Sequence, residues 1–355
     1  MRGMRMLGST GLEVSPICLG TAMFGMPEIG CDAQEAQGIF DAYRARGGNF
    51  VDTADSYGTG ASEEIVGRLL RGCRDEVVLA TKVGQRSGEG TVGLSRDRIL
   101  SAVDASLRRL GTDHIDLYLM HAVDPRAPMD ETLEALDACV RAGKVRALGC
   151  SNIEAWRLAR ALDTSRAHGW TPFSCVQLRY NLLAREIERE HLPLCELDGL
   201  AVTAFNPLSS GVLSGKVGPE GPPPDSRLAK WSYYAPLLSG RPVELAAQVR
   251  EIAGEIGATA AQVALAWTMD RPGITAAISG ARLAAQMDEN MAALDLELPD
   301  DAVARLDALS ATPLGHPYDD IMSIEAWSLR PEGAEPPRWP AAWVTGRERR
   351  ASPGS

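Results

Sequence analysis

The chain has 355 residues, 45% hydrophobic and 23% charged, a composition typical of a folded globular protein with room for a sizeable core. A formal net charge of −11 argues against nucleic acid or an anionic membrane as a bulk partner, although a local Arg or Lys still suits one anionic ligand. Seven cysteines without a CxxC pair suggest neither a disulfide frame nor a zinc site, so no metal is expected.

Residues 4–15, MRMLGSTGLEVS, have the pattern of a hairpin turning at residues 9–11 and plugging one end of the fold. The first residues lack the apolar run of a signal peptide, and no uncharged apolar window approaches the ~18 residues of a membrane span. A cytoplasmic protein is expected. From residue 16 on, short apolar or β-branched runs alternate with longer amphipathic segments. The strand candidates are ICLG (17–20), FVDTA (50–54), VVLATK (77–82), IDLYLM (115–120), VRALGC (145–150), CVQL (175–178), AVTAFN (201–206) and TAAISG (275–280). Helical periodicity marks residues 95–110, with Ile99, Val103, Leu107 and Leu110 on one face, and also 129–142, 154–167 and 260–269. Asp32 and Ser95 stand where N-caps are wanted.

Near-continuously apolar strands spaced by such helices indicate a parallel sheet buried on both faces. Eight repeats suffice to close a (β/α)8 TIM barrel, and the pattern alone also admits an open doubly wound sheet. Residues 207–241, with GPEGPPPD at 218–225 and the aromatics Trp231, Tyr233 and Tyr234, break the alternation as a long loop. Beyond Leu309 the period is lost: a C-terminal extension to residue 329 is expected to drape over the barrel as part of one unit, 1–329. Residues 330–355 form a Pro-rich, flexible tail by composition.

Asp52, Tyr57, Lys82 and His121 lie at or just past strand C-terminal ends, which share one rim in such a barrel. A carboxylate in a buried strand needs a partner, which Lys82 offers, although such a pair also occurs as a purely structural one. An ammonium near the Tyr57 hydroxyl is expected to lower its pKa from ~10, making a proton donor for a carbonyl oxygen. A neutral His121 would orient that oxygen by a hydrogen bond. The other histidines, 114, 168, 191 and 316, fall in turns, helices or the tail. A proton donor of this kind implies a separate hydride source. No GxGxxG follows a strand, since Gly58 and Gly60 are followed by Glu63 where the third glycine belongs, so a Rossmann site is disfavoured. The loops NPLSSGVLSGK (206–216) and SGAR (279–282) instead follow the seventh and eighth strands, where barrels bind phosphates. Lys216 and a helix N-terminus suit a pyrophosphate, and the Arg282 fork suits a ribose 2′-phosphate.

Together LGSTGLEVSPICLGTAMFG, NFVDTADSYG, VVLATKVG, LRRLGTDHIDLYLMH, GKVRALGCSN, FNPLSSGVLSGK and ISGARLAAQMDEN resemble the aldo-keto reductase superfamily over roughly residues 5–310. The resemblance implies an (α/β)8 barrel and an extended NADPH, less readily NADH, reducing a small-molecule carbonyl. It assigns a catalytic tetrad to Asp52, Tyr57, Lys82 and His121. It places Ser151, Asn152 and Gln177 at the nicotinamide carboxamide and Phe205 against its ring, with Gly20, Thr21 and Asp52 beside the cofactor. Asn206 stands where a Ser is commoner; Pro207, Leu208, Gly211, Leu213, Gly215 and Lys216 match the pyrophosphate loop. Gly280, Arg282, Gln286, Glu289 and Asn290 match the adenosine-phosphate end. Met23 and Phe24, with Tyr57 and His121, are candidates for the substrate wall, as are Trp231 and Tyr318. Two other activities fit the same residues: an NAD-dependent sugar dehydrogenase, and a cofactor-sensing regulatory subunit like the barrels that serve potassium channels.

Overall fold

Eight short runs of residues that can be buried on both faces produce the central feature, a closed barrel of parallel strands. The computed structural model describes residues 2–87, 91–217, 221–224, 226–313 and 315–318. The barrel strands are β3 (Ile17–Gly20), β4 (Phe50–Asp52), β5 (Val78–Val83), β6 (Ile115–Met120), β7 (Val145–Ser151), β8 (Phe173–Arg179), β9 (Ala201–Phe205) and β10 (Ile274–Ser279), preceded by a hairpin of β1 (Arg5–Met6) and β2 (Glu13–Val14). Each barrel strand pairs with the next, and β10 closes the ring against β3. Every residue of β5 and β6 is buried, as a strand between a packed interior and covering helices requires. An open doubly wound sheet is thereby ruled out.

The hairpin seals the N-terminal end. It turns where expected, Leu7 N donating to the Leu12 carbonyl at 2.8 Å, and Leu7 and Val14 enter the barrel interior beside Phe50, Leu117 and Leu119. The floor is therefore hydrophobic and closed, leaving polar residues to the opposite rim. Helices between strands cover the outside in a second, larger apolar cluster.

Asp32 caps the helix Ala33–Ala45 through a full capping box with Glu35. Ser95 holds the N-cap position of Arg96–Leu110, but its hydroxyl makes no cap bond; Glu131 from the neighbouring helix accepts from Arg96 N at 2.8 Å instead. The stretch expected as one long loop after β9 is built from 3-10 turns at Ser209–Ser214 and Ser232–Leu238 with a short helix at Arg227–Lys230 between them. Tyr318 is described, but the rest of the extension towards residue 329 and the 330–355 tail lie outside the described residues. Among the described residues, no helix is long and apolar enough to cross a membrane, and no cluster of His, Cys, Asp and Glu could hold a metal ion.

Candidate active site

Asp52 is the last residue of β4, Lys82 the penultimate residue of β5, and His121 follows β6, so three adjacent strands deliver their side chains to one rim. Tyr57 opens a tight turn, Tyr57–Gly60, in which Gly58, Thr59 and Gly60 all take left-handed φ. Gly60, at φ 101°, lies where a side chain is disfavoured, and a Cβ there would stand 3.0 Å from Arg109 Cδ. This turn folds the phenol back over Lys82.

Lys82 is fully buried and Asp52 is 2% exposed. Such a pair is tolerable only when its remaining donors and acceptors are satisfied. The Lys82 ammonium uses all its donors: to Asp52 Oδ2 at 2.6 Å, the Thr53 carbonyl at 2.8 Å and Tyr57 Oη at 3.0 Å. Gln177 Nε2 donates to Asp52 Oδ1 at 2.8 Å, fixing the carboxylate from the other side. The Tyr57 and His121 rings meet edge-on with centroids 5.7 Å apart.

Burial pushes the Tyr57 phenol above its ordinary value, and the Lys82 charge pulls it back without reversing the shift. The lowered pKa expected from the sequence is thus corrected: desolvation outweighs the cation, and the phenol stays protonated. Burial opposes the charge on Lys82, but Asp52 and Tyr57 together hold its pKa above the usual lysine range. Burial, helped by the Lys82 charge, drives His121 down to about 3, so its imidazole is neutral. Its Nδ1 is buried and has no hydrogen-bond partner among the described residues.

These groups open into a cavity of about 1250 Å³. Ser151, Asn152 and Gln177 line one part of it; Asn206, Pro207, Leu208, Gly211, Lys216, Gly280, Arg282, Gln286, Glu289 and Asn290 line another, with Gly20, Met23 and Phe205. The volume exceeds that of drug-sized pockets and admits an extended dinucleotide. Amides and a hydroxyl at one end, with two cations on the loops after β9 and β10 at the other, fit the two ends of a nicotinamide dinucleotide. Gln177 commits its amide nitrogen to Asp52, leaving its carbonyl oxygen as the acceptor. Asn152, at φ 49°, donates to the His121 carbonyl at 2.9 Å and to Ser151 Oγ at 3.0 Å. Asn206 also takes a left-handed φ, 59°, which asparagine tolerates, and its side-chain oxygen accepts from Ser210 N at 2.5 Å. That bond gives this asparagine its role: it braces a loop in which Ser209 and Ser210 are also left-handed. Gln286 accepts from Arg282 N at 3.0 Å, and Asn290 ties the same helix to Ser279 of β10 at 3.1 Å.

Several expected site residues do not reach the cavity. Phe24 is fully buried in the outer apolar cluster, so it is no part of the substrate wall. Thr21 is buried, its hydroxyl 2.9 Å from the Asp52 carbonyl and 2.8 Å from Ser62 Oγ, where it braces the β3 and β4 ends. Leu213 packs in the core and Gly215, at φ 79°, turns the chain, so both shape the loop. Trp231 stacks on Tyr234 at 5.9 Å, and Tyr318 donates to Glu190 at 2.6 Å; neither lines the cavity.

Conversely, Ile29, Gln85, Arg179, Glu186, Leu237 and both Tyr233 and Tyr234 line the cavity. An ionic brace beneath the Tyr57 turn is a further feature that the sequence pattern does not announce. Asp55 accepts from Arg98 at 2.5 Å, and Glu63 from Arg109 at 2.7 Å and Thr81 at 2.6 Å. Burial raises the Asp55 carboxyl to about 6, partly offset by Arg98. A second aspartate three residues after Asp52, in a segment this apolar, was the available signal.

Comparison with known proteins agrees with this architecture. Residues 16–311 match the aldo/keto reductase family. An uncharacterized oxidoreductase, YrpG, of Bacillus subtilis is 36% identical over 322 residues, covering 87% of this chain and 96% of its own. A probable voltage-gated potassium channel subunit beta of Arabidopsis thaliana is 34% identical, covering 82% and 90%. The aldo-keto reductase AMT2 of Alternaria alternata is 34% identical, covering 88% and 93%. With a closed eight-stranded barrel and this match over most of its length, the chain belongs to the aldo/keto reductase family of oxidoreductases.

Proposed function

We propose that this protein reduces an aldehyde, ketone or keto-sugar to an alcohol with NADPH, Tyr57 supplying the proton. The observation that carries the reading is the buried chain from Asp52 through Lys82 to the Tyr57 hydroxyl, opening into a dinucleotide-sized cavity. A bound reduced nicotinamide supplies the hydride. Tyr57 holds its proton because burial favours the neutral phenol. Lys82 points its charge at the hydroxyl oxygen, so the phenolate left after proton transfer is stabilised where it forms. Asp52, clamped by Gln177, keeps that ammonium in place. A neutral His121 offers a hydrogen-bond donor for the carbonyl oxygen without competing as an acid. Ser151, Asn152 and Gln177 hold the carboxamide end; Lys216 and Arg282 hold the phosphates.

The test is turnover: purified protein with NADPH is offered a panel of aldehydes, ketones and sugars, and loss of reduced-nicotinamide absorbance is followed. NADPH oxidation with several carbonyls is expected. The similarity to proteins named as potassium channel beta subunits favours a second reading, a cofactor-sensing regulatory subunit. Tight NADPH binding with no turnover of any carbonyl would favour that reading.

A further inference from the structure

Arg179 is the last residue of β8, exposed, and lines the cavity that holds Tyr57 and His121. Among the described residues none forms a hydrogen bond or ion pair with its guanidinium, which sets it apart from Arg98, Arg109, Arg185 and Arg271, all committed to carboxylates. An arginine on a cavity wall with its fork unengaged is equipped to bind a planar oxyanion. Its position is fixed by strand geometry. Gln177, two residues earlier, bonds Asp52, and alternate residues of a strand face the same side, so Arg179 stands about 6–7 Å further towards the rim above the same floor. The phosphate-binding features lie elsewhere, on the loops after β9 and β10 that carry Lys216 and Arg282. The same cavity is also lined by aromatic and aliphatic side chains: Met23, Ile29, Ile187, Tyr233 and Tyr234. Glu186 shares the cavity without pairing to Arg179, and its charge opposes a dianion more strongly than a monoanion.

Resting on the reductase reading, we infer that Arg179 anchors a carboxylate on the substrate, and that the site takes carbonyl compounds with a single carboxylate set apart from the reacting carbon by an apolar body. The chain's net charge of −11 gives no general attraction for such an anion, and with Lys216 and Arg282 assigned to the cofactor phosphates the preference rests on Arg179.

The experiment uses the full chain with NADPH and two ring compounds of the same shape, 4-formylbenzoate and its neutral methyl ester. The acid is expected to show a kcat/KM about 10- to 100-fold above the ester's, expressed in KM. Arg179→Met should collapse that ratio towards one, and Arg179→Lys should keep part of it, having the charge without the fork. Phenylglyoxylate, whose carboxylate adjoins the carbonyl, should gain no advantage over its ester. Should Arg179→Met fold poorly, added salt applied to the parent protein makes the same distinction, raising KM for the acid and not for the ester. An ester used as well as the acid overturns the inference. So does phenylglyoxylate as the better substrate, or an Arg179→Met protein that loses NADPH affinity and both substrates equally. If the parent protein reduces neither ring compound nor any other carbonyl, it is the reductase reading that fails instead.

Discussion

On the proposed reading, Tyr57 gains its chemistry from two opposed effects at one oxygen: burial holds the proton on, and the Lys82 ammonium 3.0 Å away would stabilise the phenolate that its departure leaves. Replacing Tyr57 with Phe removes the proposed proton donor and little else. The variant is expected to bind NADPH as the parent does, by fluorescence titration, while kcat for carbonyl reduction falls about 10²- to 10⁴-fold. His121 makes a different prediction, about stability. Its folded pKa, about 3, lies below the ordinary 6.5, so between these values the unfolded chain holds a proton that the folded chain refuses. The His121 contribution is therefore complete above pH 6.5 and is lost as pH falls towards 3. Asp55 runs the other way: raised to about 6 from 3.8, it favours the folded state below 3.8 and loses that effect as pH rises through 6. Denaturant unfolding of His121→Gln across this range should show a flatter loss of stability on acidification than the parent does. Equal slopes would mean that the imidazole is not buried neutral.

At the scale of elements, the turn carrying Tyr57 is held from below. Asp55 and Glu63 flank it in sequence, and both are ion-paired to the helix Arg96–Leu110 through Arg98 and Arg109. Arg98→Met would leave the Asp55 carboxylate, 1% exposed, without its charge partner. A loss of about 3–5 kcal/mol in unfolding free energy is expected from chemical denaturation. The loop after β10 makes a separate prediction for the cofactor. Arg282 lines the cavity beside Gln286 and Glu289 on the following helix. If its fork meets a 2′-phosphate, Arg282→Leu raises the Kd for NADPH about 10- to 100-fold and leaves that for NADH nearly unchanged. Equal weakening of both nucleotides would assign Arg282 to the phosphates they share.

Taken whole, the molecule has one sealed end and one open end. The hairpin places Leu7 and Val14 into the barrel interior, so apolar packing occupies the floor and the polar rim is left for ligands. Leu7 is fully buried there. Leu7→Ala should cost about 2–5 kcal/mol in unfolding free energy by opening a cavity in the floor. NADPH affinity should survive, because the groups proposed to bind it stand at the other end; a parallel loss of affinity would show that the floor is coupled to the rim.

Much of this was legible in the sequence. The strands ICLG and IDLYLM have the boundaries their apolar runs announce, and the helix Ala260–Met269 those of its periodicity. Strand ends carrying Asp52, Lys82 and His121 were visible because a polar residue closing a buried run has few other places to go. Phe24, Thr21 and Leu213 went astray for one reason: position along the chain marks nearness to the rim, but which way a loop side chain turns depends on neighbours distant in sequence.

Period and composition, being local properties, determined the eight strands, the helices between them and the polar groups at strand ends. Tertiary structure alone decided the rest: ring closure of β10 on β3, the outcome of burial against charge at Tyr57, the brace under its turn, and an Arg179 guanidinium left unengaged among the described residues. Each of these depends on the distance between groups far apart in the chain, and electrostatic and desolvation energies are set by that distance and by how much water remains.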